Sequence, residues 1–172
     1  MSSKDKNLSS VKIDKSTSVK GYSFGIVRSE WNDEITSSLM EACKKTLMKH
    51  KAKEEDIYTI DVPGSFELPL GARMLLGKHK LDAVICLGCV IKGETKHDEY
   101  INSAVARGIM SLNVASGKPV IFGVLTPNDM QQAIDRSGGK YGNKGAEAAF
   151  TAIKMAILGK DLQGIDKSIG FN

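Results

Sequence analysis

The ten residues Gly88-Cys-Val-Ile-Lys-Gly-Glu-Thr-Lys-His97 bring glycine, threonine, lysine and histidine together directly after the apolar run Ala83–Leu87. Backbone N–H groups left free at a strand-to-helix turn suit an oxyanion such as phosphate. A histidine that opens a helix is held neutral by the helix terminus and can take up a proton near pH 7. Other turns share this polar character. Arg28-Ser-Glu-Trp-Asn-Asp33 carries the only tryptophan, whose large apolar face either caps a core or stacks on a planar ligand. Val62-Pro-Gly-Ser-Phe-Glu-Leu-Pro69 places Gly64 for close backbone approach and Ser65 to cap a helix. Glu67 there is either a favourable charge in the first helical turn or an acceptor for ligand hydroxyls. At Thr126-Pro-Asn-Asp129, Asn128 or Asp129 can cap a helix that ends at Arg136, with Lys140 and Lys144 beyond. For each of these cations alone a solvated face is explanation enough.

The elements that must position these turns follow from the apolar pattern. Four short β-branched runs, Tyr22–Val27, Ile57–Val62, Ala83–Leu87 and Pro119–Leu125, alternate with helical patterns at Asp33–His50, Phe66–Gly77 and Tyr100–Ala115. Two more helices, Asn128–Ser137 and Asn143–Leu158, follow the last strand. Such alternation predicts a four-stranded parallel sheet with right-handed crossovers in a three-layer αβα sandwich of flavodoxin-like kind. Ligands of such sheets bind outside the carboxyl ends of the strands, where the polar turns fall. Ser137-Gly-Gly-Lys-Tyr-Gly-Asn143 forbids one continuous helix, since each interior glycine costs about 1 kcal/mol relative to alanine.

Residues 1–18 read as a flexible, polar extension, 19–160 as one domain, and 161–172 as a carboxyl-terminal tail frayed from about Gly159. A net charge of +4 with dispersed lysines argues against a nucleic-acid partner. No apolar stretch is long enough for a membrane span and no signal segment is evident, so the expected compartment is the cytoplasm. Cys86 and Cys89 have C-x-x-C spacing but fall on a strand, where residues three apart face opposite ways, so with Cys43 they read as core thiols. His50 and His79, among lysines near helix ends, read as exposed. Scattered histidines and strand cysteines make no metal site, and both the nucleotide phosphate loop and the dinucleotide glycine turn are absent.

Trp31-Asn32, Val62–Glu67, Gly88–His97, Pro119–Thr126, Gln132–Arg136 and Gly142–Ala149 occur in one order. In these six blocks, from Gly21 to Leu158, the chain resembles the 6,7-dimethyl-8-ribityllumazine synthases of riboflavin synthesis. The resemblance implies a transferase that needs no cofactor. It condenses 5-amino-6-(D-ribitylamino)uracil with 3,4-dihydroxy-2-butanone 4-phosphate through imine formation, phosphate elimination and ring closure. By position, Trp31 takes the stacking slot, more often phenylalanine. Ser65, Phe66 and Glu67 bind the ribityl chain and uracil edge, Cys89, Val90 and Ile91 contact the uracil, and Phe122 closes the pocket. Gly93, Glu94 and Thr95 hold the phosphate, His97 transfers protons, and Arg136 with Lys144 nearby grips the phosphate from a neighbouring subunit. Two departures stand out: Glu94 replaces a small residue, so its side chain is expected to point outward, and Asp98 replaces an aromatic. The resemblance further implies pentamers, and the short hinge after Arg136 points to twelve of them closing an icosahedral 60-mer, with riboflavin synthase as a partner. An added strand from the extension, with Val11 and Ile13, would pair with a neighbouring subunit's sheet. The alternatives are a non-catalytic flavin- or nucleotide-binding module and a shell-forming container.

Overall fold

The computed structural model describes residues 17–166, so the proposed extension strand with Val11 and Ile13 lies outside the described residues. Four parallel strands, β1 (Phe24–Ser29), β2 (Ile57–Val62), β3 (Ala83–Cys89) and β4 (Val120–Leu125), stand in the order β2-β1-β3-β4. Helix α1 (Asp33–Lys49) connects β1 to β2, α2 (Leu68–Lys78) connects β2 to β3, and α3 (His97–Ser116) connects β3 to β4. After β4 come α4 (Met130–Arg136), a small antiparallel pair β5 (Ser137–Gly139) and β6 (Gly142–Asn143), and α5 (Lys144–Asp166). This is the expected flavodoxin-like sandwich.

Alternation along the strands divides the interior into two cores. Phe24 and Ile26 of β1, and Ala83, Ile85, Leu87 and Cys89 of β3, pack with α1 and α5. Val27, Val84 and Cys86 face the other way, onto α2 and α3. Because both faces are covered, β3 is buried at all seven positions, which explains why it reads as a continuous apolar run. Cys86 and Cys89 thus fall in different cores, and all three cysteines are free and buried.

Several boundaries differ from the sequence reading, each for a physical reason. Strand β1 extends through Arg28 and Ser29, in register with Asp61 and Val62; the polar arginine hid this end because its charge is met across the sheet. Helix α3 starts at His97, as expected of a histidine that opens a helix, and so three residues before the helical pattern at Tyr100. Asp98 and Glu99 fall in its first turn, where negative charge is favourable. Helix α5 continues past Leu158 to Asp166. Lys160 helps to hold that end, reaching Asp82 at 3.3 Å and standing 3.5 Å from the centre of the Tyr22 ring. Asp129 is the cap of α4, its Oδ1 accepting the Gln132 N–H at 2.8 Å. His50 is buried, not exposed: its Nδ1 donates to the Thr17 carbonyl at 3.0 Å and its ring meets Phe150 edge-on. His79 is half-buried, stacked on Tyr58 at 3.9 Å. In the hinge, Gly138 and Gly142 have φ of 129° and 75°, so the chain turns back there.

Helices α1 and α5 are in tight contact at Gly145, where an added Cβ would lie 2.0 Å from the Leu39 carbonyl oxygen. Gly159, on the same helix, has open space around it. Gly145→Ala is expected to lower unfolding free energy by about 3 kcal/mol, because backbone must move. Gly159→Ala should raise it by about 0.5–1 kcal/mol through helix propensity. Urea denaturation of both variants checks the contrast.

Candidate active site

The chain runs from β1 outward to β2 on one side and returns to β3 and β4 on the other, so the connection changes direction between β1 and β3. In open parallel sheets a crevice forms at that point, beyond the carboxyl ends of the strands. A cavity of about 920 Å³ lies there, within the usual size of small-molecule sites. Three turns line it: Trp31 and Asn32 after β1, Gly64–Glu67 after β2, and Cys89–Ile91 with Gly93, Thr95 and His97 after β3. Helix α3 adds Asp98, Tyr100, Ile101, Ala104 and Arg107.

Each turn is held by its own hydrogen bonds. Asn32 adopts the left-handed conformation (φ 60°, ψ 48°), which asparagine tolerates better than most residues. Its side-chain Nδ2 donates to the Cys89 carbonyl at 2.9 Å, tying the β1 turn to the end of β3. The Trp31 N–H donates to the Pro63 carbonyl at 3.2 Å, while the indole remains 72% exposed at the cavity wall. Ser65 does not cap α2. It is buried in a single 3-10 turn, and its Oγ has no partner among the described residues. Glu67 precedes α2 without a side-chain cap bond to it; its Oε2 instead accepts the Gly64 N–H at 3.0 Å, closing the 3-10 turn. That leaves Oε1 without a partner among the described residues, available to an incoming hydroxyl. Phe66 presents an exposed ring beside it.

The third turn carries the residues for which the resemblance implies a phosphate. The His97 N–H points to Thr95 Oγ1 at 3.4 Å, and the His97 side chain is exposed on the cavity side of the first turn of α3. The Gly93 N–H faces Asp98 Oδ1 at 3.4 Å, so a carboxylate from this chain meets that backbone donor. Glu94 is exposed and lies outside the cavity lining, in keeping with an outward side chain.

The structure therefore brings together Trp31, Ser65, Phe66, Glu67, Cys89, Val90, Ile91, Thr95 and His97. Phe122, Arg136 and Lys144 do not join them within one chain. Phe122 is 42% exposed on β4, an edge strand. Arg136 donates from Nη1 to the Gln132 carbonyl at 3.0 Å and stands over the Tyr141 ring. Lys144 is held by both carboxylate oxygens of Glu147, at 2.8 and 2.9 Å. Sequence reasoning missed Tyr100, Ile101, Ala104 and Arg107, although they recur from His97 at the spacing of one helical face.

Fold and cavity together define a flavodoxin-like αβα domain that receives a small molecule at the reversal point of a parallel sheet. The chain belongs to the 6,7-dimethyl-8-ribityllumazine synthase family, whose model matches residues 21–160. Relatives called 6,7-dimethyl-8-ribityllumazine synthase agree with that placement. The one from Cytophaga hutchinsonii is 54% identical over 155 residues, covering 90% of this chain and 97% of its own. That of Bacteroides fragilis is 54% identical over 132 residues, 77% of this chain and 92% of its own. That of Flavobacterium johnsoniae is 51% identical over 160 residues, 92% of this chain and 83% of its own.

Burial raises all three thiols, Cys86 to about 12 and Cys89 to about 11, with Cys43 higher still. The thiolate is the reactive form. At pH 8 a disulfide reagent is therefore expected to titrate none of the cysteines in the native protein within minutes, and all of them after unfolding. Rapid native reaction of Cys89 would mean that the cavity floor is open to solvent.

Proposed function

We propose that this chain catalyses condensation of 5-amino-6-(D-ribitylamino)uracil with 3,4-dihydroxy-2-butanone 4-phosphate, giving 6,7-dimethyl-8-ribityllumazine, phosphate and water. The observation that carries the reading is that Trp31, Ser65–Glu67, and Gly93, Thr95 and His97, from three separate turns, line a single cavity. An aromatic face, a carboxylate and an anion-binding turn are what a ribitylated heterocycle and a phosphorylated ketone require together.

In this reading the indole of Trp31 stacks on the pyrimidine while the backbone of Cys89, Val90 and Ile91 meets its polar edge. Ser65 and Phe66 support the ribityl chain, and the free oxygen of Glu67 accepts its hydroxyls. The amino group of the pyrimidine attacks the ketone carbonyl and water leaves as the imine forms. His97 takes the proton from the carbon bearing the 3-hydroxyl and the C–O bond to phosphate breaks. The resulting enol tautomerises to a ketone, which the ribitylamino nitrogen attacks, and the ring closes with loss of that oxygen as a second water. Main-chain N–H groups at Gly93 and Glu94, with the Thr95 hydroxyl, hold the phosphate. Alignment of two reactive partners supplies much of the acceleration.

Phe122 and Arg136 complete the site from a neighbouring copy. The Arg136 guanidinium offers a two-pronged fit to phosphate. Lys144 adds a cation beside it that Glu147 partly neutralises, so Arg136 carries most of the charge stabilisation. The assembly is a cytoplasmic pentamer, with pentamers closing a 60-subunit shell that holds riboflavin synthase. Apolar side chains left exposed on α2 and α3, Leu70, Met74, Met110 and Val114, support a subunit interface.

Mixing the protein with both substrates should produce lumazine absorbance and fluorescence faster than the spontaneous reaction; no excess would end the enzymatic reading. His97→Ala and Arg136→Ala oligomers, dissociated and reassembled together, should regain about a quarter of wild-type activity, the chance share of interfaces with both intact groups. No gain over the separate variants would place both residues in one subunit's site. Asp98→Ala should lower the KM for the butanone phosphate severalfold and leave that for the pyrimidine unchanged, since it removes a like charge from the phosphate position.

A further inference from the structure

Arg28 lies outside the cavity lining, yet its side chain is the most heavily committed cation among the described residues. Its backbone is in register with Asp61 on β2. Across that register Nε donates to Asp61 Oδ1 at 2.9 Å and Nη2 to Asp61 Oδ2 at 2.8 Å. The remaining nitrogen, Nη1, donates to Asp33 Oδ1 and to Ser37 Oγ, the latter at 2.7 Å, both on the first turns of α1. One guanidinium thus joins the ends of β1 and β2 to the start of α1, and its side chain is 11% exposed. Asp61 is held below the usual carboxylate range by its hydrogen bond from Arg28.

The loop enclosed by this fork is Ser29–Asn32, which carries Trp31. Its backbone continues along the end of β2, with the Glu30 N–H donating to the Val62 carbonyl at 2.8 Å and the Trp31 N–H to Pro63. Pro63 leads directly into Gly64–Glu67, the opposite wall of the cavity. We infer that Arg28 is a positioning residue, which fixes the separation between the Trp31 indole and the Ser65–Glu67 wall and so sets affinity for the planar, hydroxylated substrate. The phosphate turn hangs from β3; the Asn32 bond to Cys89 joins this loop to its start, and Gly93 to Thr95 lie beyond that joint. The inference rests on the proposed reading for the identity of that substrate, but not for the restraint of Trp31.

Because Trp31 is the only tryptophan, its emission reports this loop alone. The test uses the full-length oligomer of Arg28→Met, of Asp33→Asn and, as a surface ion-pair control, of Lys53→Met. Asp33 is well exposed, so Asp33→Asn removes the charge from the link to α1, where Ser37 still accepts from Nη1, without burying an unpaired charge, and decides the matter if Arg28→Met does not fold. Both test variants should show lower steady-state anisotropy of Trp31 and greater acrylamide quenching. The KM for the ribitylaminouracil should rise about tenfold in Arg28→Met and less in Asp33→Asn, while the KM for the butanone phosphate stays within about twofold. The control should match wild type. Unchanged anisotropy, or equal shifts in both KM values, overturns the inference. If wild-type protein makes no lumazine, the proposed function fails instead, and the fluorescence alone decides whether Arg28 holds Trp31.

Discussion

A parallel sheet covered by helices on both faces has no solvated side on which polar groups can sit. Along β3 every side chain enters one of two cores, so this central strand can place hydrogen-bonding side chains only beyond its last paired residue. Parallel pairing then brings those ends level, with Ser29 opposite Val62 and Arg28 opposite Leu87. Three turns with no sequence relation to one another consequently open into the same space. The cavity is a product of burial and register before any of its residues has a role.

Inside that frame, backbone hydrogen bonding decides where each group goes. The Asn32 side chain bridges to the Cys89 carbonyl, and Glu67 folds back on Gly64. The first spans 57 positions of sequence and the second three, and both satisfy peptide groups left over where a strand stops. Each also leaves a functional remainder, an exposed indole in one case and a free carboxylate oxygen in the other. At the third turn the remainder is partly consumed, because Asp98 occupies the Gly93 N–H.

Much of this was legible in the sequence. Unbroken apolar runs gave the strands away, and the polar blocks after them marked the turns that line the cavity. What escaped depended on partners distant in sequence. Arg28 looks like a loop residue until Asp61 is placed beside it, and His50 looks exposed until Phe150 and Thr17 close over it. Ser65 has the residue type of a cap but not the position, since it sits inside the 3-10 turn that precedes α2, with its hydroxyl buried. The end of α5 was missed because its apolar stripe fades while nothing breaks the helix. Tyr100, Ile101, Ala104 and Arg107 lay within reach of a helical projection from His97. Such a projection shows a shared face but not that the face borders a cavity.

The two edges of the sheet differ in what they carry. At one edge the β2 turn forms a wall of the cavity; at the other, β4 leaves the Phe122 ring facing outward. On the proposed reading a socket and the plug that fills it thus occupy opposite flanks of the same molecule. A two-fold pair, which brings identical flanks face to face, leaves such flanks mismatched. Head-to-tail stacking matches them every time, and it leaves no orphan flank only when the row of copies bends round into a ring.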